Sequence, residues 1–139
     1  MEPTILMAFA HPDDESFGLS GTTLKYTQRG VAVDLICATR GEVGERLGVA
    51  DDVDTGTARE AELRAAAAIT GIRDIYLLGY IDGQLYTVDP DELADRVLEV
   101  MRRVRPGVVI TFGPDGITGH LDHIAIGKAA SRAFEELCR

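Results

Sequence analysis

All three histidines of this chain lie in two short polar clusters, Ala10-His11-Pro12-Asp13-Asp14-Glu15 near the start and His120-Leu121-Asp122-His123 near the end. A catalytic divalent metal asks for three protein ligands drawn from imidazole and carboxylate, with a further position left open for water. Two histidines and one aspartate meet that need. A carboxylate and an imidazole then remain for moving a proton and for stabilising a developing oxyanion, which amide hydrolysis also requires. Each cluster has a plainer reading. Asp13, Asp14 and Glu15 suit the acidic first turn of a helix, and His120 and His123 suit a loop and cap with Asp122 as the N-cap. Bringing the two clusters together is what makes a site of them.

The elements around the clusters predict that convergence. Thr4 to Ala10 is a short apolar run that reads as a buried strand and stops at His11-Pro12, where proline disfavours regular structure. Residues from about Ser16 to Arg29 read as a helix closed by Gly30, and Val31 to Ala38 as a second buried strand. A loop rich in glycine and acid follows, with Gly41, Gly44, Gly48, Asp51, Asp52 and Asp54. Thr57 to Thr70 is then a helix stopped by Gly71, and Asp74 to Leu78 a third strand. Asp89-Pro90-Asp91-Glu92 starts a helix whose apolar positions Leu93, Val97, Val100, Met101 and Val104 keep helical spacing up to Arg105-Pro106-Gly107. Val108 to Phe112 gives the fourth strand, and the residues after His120 through Glu136 the last helix.

This βαβαβαβα order predicts a Rossmann-like three-layer α/β/α fold with a mainly parallel sheet, its right-handed crossovers placing helices alternately on the two faces. In such sheets the first strand and the one after the third crossover commonly lie side by side, with the ligand crevice at their carboxyl ends. His11 is thereby expected beside His120 and His123. Gly18 and Gly21 follow the first strand, but His-Pro-Asp-Asp stands where a G-x-G-x-x-G turn would be, so NAD binding is rejected. Arg40, in Thr39-Arg40-Gly41-Glu42 after the second strand, could reach a substrate or pair with nearby acids. Asp82-Gly83 after the third strand could present Asp82 to sugar hydroxyls or form a plain turn.

At 139 residues, 45% hydrophobic and 27% charged, the chain fits one domain. Its formal charge of -9 leaves no basic face for nucleic acid and disfavours a polybasic contact with anionic lipid. The apolar run Ile5 to Ala10 is far too short for a membrane span or signal core, so a cytoplasmic protein without membrane insertion is expected. Cys37 and Cys138 do not make a disulfide framework, and Cys37 suits the core better than a nucleophile's role.

Ala-His-Pro-Asp-Asp-Glu, Thr-Arg-Gly-Glu, Asp-Gly and His-x-Asp-His, each after its strand and in this order, resemble the LmbE-like, or PIG-L-type, deacetylases. The likeness spans nearly the whole chain. It implies a zinc-dependent hydrolase that removes acetyl from an N-acetylglucosamine-containing small molecule or glycoconjugate by attack of a metal-activated water. Carried over by position, it makes His11, Asp14 and His123 the Zn2+ ligands, with other first-row divalent ions acceptable to the same donors. Asp13 becomes the base, His120 the group that stabilises the oxyanion or protonates the leaving amine, and Asp122 the residue that orients His120. Homo-oligomers are implied as well. Family members usually run well beyond the last helix expected here, so the chain is expected to be a fragment or a shortened member. Two other readings compete: a metal-dependent phosphoesterase, which usually wants more carboxylates around two ions, and a sugar-binding module that keeps the metal site without turnover.

Overall fold

The computed structural model describes residues 3–44 and 53–139; Gly48, Asp51 and Asp52 of the acidic loop lie outside them. Among the described residues, four strands, β1 (Ile5–Phe9), β2 (Val33–Cys37), β3 (Ile75–Leu77) and β4 (Val108–Ile110), form one sheet in the order β3-β2-β1-β4. Every pairing is parallel, and β1 meets β4 in the register Ile5 to Val108 and Met7 to Ile110. The inner strands β1 and β2 are buried at all positions, as continuous apolar runs in a doubly covered parallel sheet should be. The edge strands β3 and β4 are partly exposed.

Helices α1 (Asp14–Thr27), α2 (Thr55–Thr70), α3 (Pro90–Val104) and α4 (Leu121–Leu137) cover the sheet. The chain steps from β1 to β2 to β3, then crosses back past β1 to β4. With right-handed crossovers such a reversal moves the helices to the opposite face. Accordingly α1 packs on α2 and α3 on α4, two to a face instead of alternating. The reversal is also what sets the ends of β1 and β4 side by side.

Local chemistry sets the boundaries. Asp54 and Asp89 cap α2 and α3 by accepting the amides of Thr57 and Asp91, both at 2.8 Å. Helix α1 starts at Asp14, two residues earlier than the sequence suggests, because Asp13 turns left-handed (φ 91°) as soon as the chain clears Pro12. Strand β4 ends at Ile110 instead of Phe112, since Thr111 gives its hydroxyl to the Ala8 carbonyl at 2.8 Å. A 3-10 turn at Leu85–Thr87 was not foreseen. Cys37 is buried, and desolvation, with Glu15 and Asp14 nearby, pushes its thiol well above the ordinary range, which fits a core residue. Among the described residues no helix is long and apolar enough to cross a membrane.

One of the buried acids lies away from the two polar clusters. Asp34, in the middle of β2, is fully buried and takes a forked bond from Arg73 (3.0 and 2.6 Å) and the Asp74 amide at 3.1 Å. Breaking such a pair from the exposed side strands a buried charge. Arg73→Met should therefore destabilise the fold by about 2–3 kcal/mol, below the roughly 3–5 kcal/mol of a wholly buried pair because Arg73 is half exposed. Asp34→Asn, which leaves Arg73 free to solvate, should cost less; urea unfolding of both variants checks the order.

Candidate active site

The two polar clusters meet at the carboxyl ends of β1 and β4. His11 stands just past β1, while His120 is the N-cap of α4 and His123 lies in its first turn. The imidazole centroids are 4.9 Å apart for His11 and His120, 5.3 Å for His11 and His123, and 4.8 Å for His120 and His123. Phe112 stacks flat on His123, with centroids 4.0 Å apart and planes within 7°. Gly116, in the loop before α4, lies so close to His123 that a Cβ there would come within 3.0 Å of the His123 Cβ, and its φ of 66° suits glycine. Its carbonyl holds the His123 ring.

Hydrogen-bond bookkeeping fixes which ring nitrogens are free. His11 Nε2 lies 2.9 Å from Asp122 Oδ2 and 3.0 Å from Asp82 Oδ1. Both partners are acceptors, so Nε2 carries a proton and Nδ1 presents its lone pair. That nitrogen is 3.6 Å from Asp14 Oδ2. His123 Nδ1 is 3.1 Å from the Gly116 carbonyl, which can only accept, so Nε2 presents its lone pair 3.4 Å from Asp14 Oδ1. The ligand atoms that His11, Asp14 and His123 offer all lie within 4.8 Å of one another, a set that could take a cation between them. Metal bonds of about 2.0–2.1 Å at tetrahedral angles put neighbouring donors roughly 3.4 Å apart, close to the 3.6 and 3.4 Å that separate the two rings each from its own oxygen of Asp14. The Asp14 carboxylate is itself held by the amides of His11 (2.8 Å) and Ala10 (3.1 Å).

His11, Asp14 and His123 form one of two groups able to hold a metal ion among the described residues; the other is His11, His120 and Asp122. The donors of the second group are already used. The fully buried Asp122 accepts the amides of Gly83 (2.8 Å) and Leu85 (3.0 Å) as well as His11 Nε2. His120 Nδ1 takes the Asp122 amide at 3.1 Å, which caps α4. The expected roles shift accordingly: His120, not Asp122, is the cap, and the Asp122 carboxylate orients His11 where His120 was expected. His120 is exposed, and its Nε2 is left with the proton.

Asp13 stands at the rim with its side chain half exposed and Oδ2 3.1 Å from Arg59. Partial burial pushes its carboxyl up, opposed by the Arg59 guanidinium. Glu15, buried beneath it, accepts the Asp13 amide at 3.1 Å. Asp82 is buried, turned to His11 and bonded to the Val43 amide at 2.8 Å, while Glu42 returns the exchange by accepting the Asp82 amide at 2.9 Å. Arg40 leans on α2, with Asp54 at 3.9 Å and Glu60 at 3.8 Å. The arginine that does reach the first cluster is Arg59, which the sequence reading passed over inside an Ala, Glu and Arg helix.

Residues 6–134 match the family described as GlcNAc-PI de-N-acetylase, PIG-L. The chain belongs to the PIG-L family. It is 39% identical over 136 residues to a probable N-acetyl-alpha-D-glucosaminyl L-malate deacetylase 2 of Bacillus anthracis, covering 96% of this chain and 60% of that protein. Among solved structures it resembles the N,N'-diacetylchitobiose deacetylase of Pyrococcus horikoshii, with TM-score 0.79 and 28% identity over 96% of this chain and 49% of that one. It also resembles a 4-carboxy-2-hydroxymuconate hydratase of Pseudomonas putida, with TM-score 0.76 and 27% identity over 95% of this chain and 55% of that one. The chain thus spans about half to three fifths of the length of these relatives, and relatives of one fold differ in reaction, so function must be argued from the site.

Proposed function

We propose that this PIG-L chain carries the catalytic core of a metal-dependent N-deacetylase acting on an N-acetylglucosamine-containing small molecule or glycoconjugate, in the cytoplasm. The observation that carries this reading is the convergence of His11 Nδ1, His123 Nε2 and the Asp14 carboxylate, with the proton of each ring pinned on its far nitrogen. These three residues would hold the ion, and two imidazoles with one carboxylate favour zinc among the first-row divalent ions that would accept the set. When bound, such an ion supplies Lewis acidity that activates water and offsets charge on a carbonyl oxygen.

The rest of the chemistry falls to the chain. Asp13 Oδ1 takes the proton of the attacking water, and the upward push on its carboxyl makes it a better acceptor. His120 offers its Nε2–H as a hydrogen bond to the developing oxyanion, and the proton that Asp13 has taken from the water passes on to the departing amine, which restores the carboxylate. Asp122 and Gly116 do no proton chemistry; they keep His11 and His123 in the one tautomer that leaves the right nitrogen free. The two named deacetylases differ in what is joined to the sugar, malate in one and a second sugar in the other, which supports the acetamide as the part of the substrate that the site acts on.

Purified protein is expected to carry about one divalent ion per chain and to release free acetate from N-acetylglucosaminyl malate or diacetylchitobiose. Metal-loaded protein that releases no acetate from any N-acetylglucosamine glycoside would overturn the reading.

A further inference from the structure

Arg59 bonds none of the three histidines, yet it makes more bonds to the loops of this site than any other cation among the described residues. Its Nη2 lies 2.6 Å from the Pro12 carbonyl and 3.1 Å from Asp13 Oδ2, and its Nη1 lies 3.0 Å from the Gly41 carbonyl. One planar guanidinium on α2 therefore ties together the turn after β1 and the turn after β2. The loop after β2 is shaped around it. A Cβ built on Gly41 would lie 2.1 Å from Arg59 Nη1 and one on Gly44 would lie 2.5 Å away, so two glycines leave the room that the arginine head fills. Arg59 is also much less exposed than its partner, at 17% against 51% for the side chain of Asp13.

What it grips is an uncommon backbone. Asp13 is a non-glycine residue at φ 91°, ψ -20°, a left-handed conformation that persists where its surroundings over-determine it. Arg59 binds the carbonyl just before that residue and the carboxylate of the residue itself, while Glu15 holds its amide. Asp13 Oδ1 has no bond among the described residues. The clamp thus immobilises one oxygen and leaves the other for the proton.

We infer that Arg59 is a positioning residue, which acts on the reaction by aiming Asp13. This rests on the reading of Asp13 as the base. An alternative role, binding substrate hydroxyls directly, would appear in KM instead of kcat.

Arg59→Ala should lower kcat about 10²-fold, leave KM within about threefold and leave metal content unchanged, with part of the rate restored by guanidinium in the buffer. In an Asp13→Asn background the same substitution should cost less than about twofold more, since a residue acting only through Asp13 has nothing left to aim. Independent of activity, amide exchange at Ser16 and Phe17, whose N–H groups bond the Asp13 carbonyl at 2.9 and 3.1 Å, should quicken in Arg59→Ala. If Arg59→Ala does not fold, Arg59→Lys, which keeps the charge without the fork, carries the same kcat, KM and exchange measurements. A rise in KM with kcat unchanged, full additivity with Asp13→Asn, or unaltered exchange would overturn the inference. If the wild-type chain releases no acetate, the deacetylase reading fails by itself, and exchange alone decides whether the clamp exists.

Discussion

Asp13→Asn is expected to lower kcat by about 10²–10⁴-fold, the usual range for a lost general base, while KM stays near its wild-type value and the ion stays bound. The substitution keeps size and shape, and an Asn side-chain oxygen can still accept from Arg59 Nη2, where the native carboxylate does so at 3.1 Å. Asn and Asp also tolerate the left-handed conformation at φ 91° better than other residues do. What disappears is the oxygen that can take a proton. Steady-state kinetics beside metal analysis checks this: a variant with full metal and near-normal kcat would show that the proton goes elsewhere.

His123→Ala should have a second large effect, of a different kind. Replacing a residue that only orients a metal-bound imidazole commonly weakens metal binding by about 10–100-fold; removing one of three donors should exceed that. Metal content after dialysis should fall to a small fraction of the wild-type value, and added zinc should no longer raise the melting temperature, because an ion stabilises a fold only in so far as it binds the folded state. The ring has a packing role as well, since Phe112 loses its stacked partner. His123→Phe, which keeps a flat ring there, separates the two losses: it should match His123→Ala in metal content and exceed it in stability.

Much of the frame behind these expectations was legible in the residues. The short apolar runs gave the four strands, and the doubly wound order set β1 beside β4, which carries His11 to His120 and His123. The roles inside the site were harder to read. His120 caps α4 although histidine is not among the usual N-cap residues, and this frees Asp122 to sink beneath the helix and bind His11. Which of two nearby imidazoles a carboxylate meets depends on ring direction, and spacing carries no information about that. Arg59 escaped notice for another reason. Helix α2 is rich in small and charged residues, so its apolar stripe is faint and its rotational phase could not be set. Asp34 was hidden in an apolar run because its partner Arg73 comes 39 residues later. The pairing of helices two to a face follows from the direction of each crossover, which is settled only when the strand order is known.

The bonds of Asp122 have a consequence that reaches beyond the orientation of one ring. The same carboxylate that fixes His11 also receives the amides of Gly83 and Leu85, so the turn after β3 and the candidate metal ligand share a single fastener. A ligand that draws that turn into a new position must alter the hold on His11, and with it the affinity for the ion. Linkage makes the effect reciprocal: the ion changes the affinity for that ligand by the same factor.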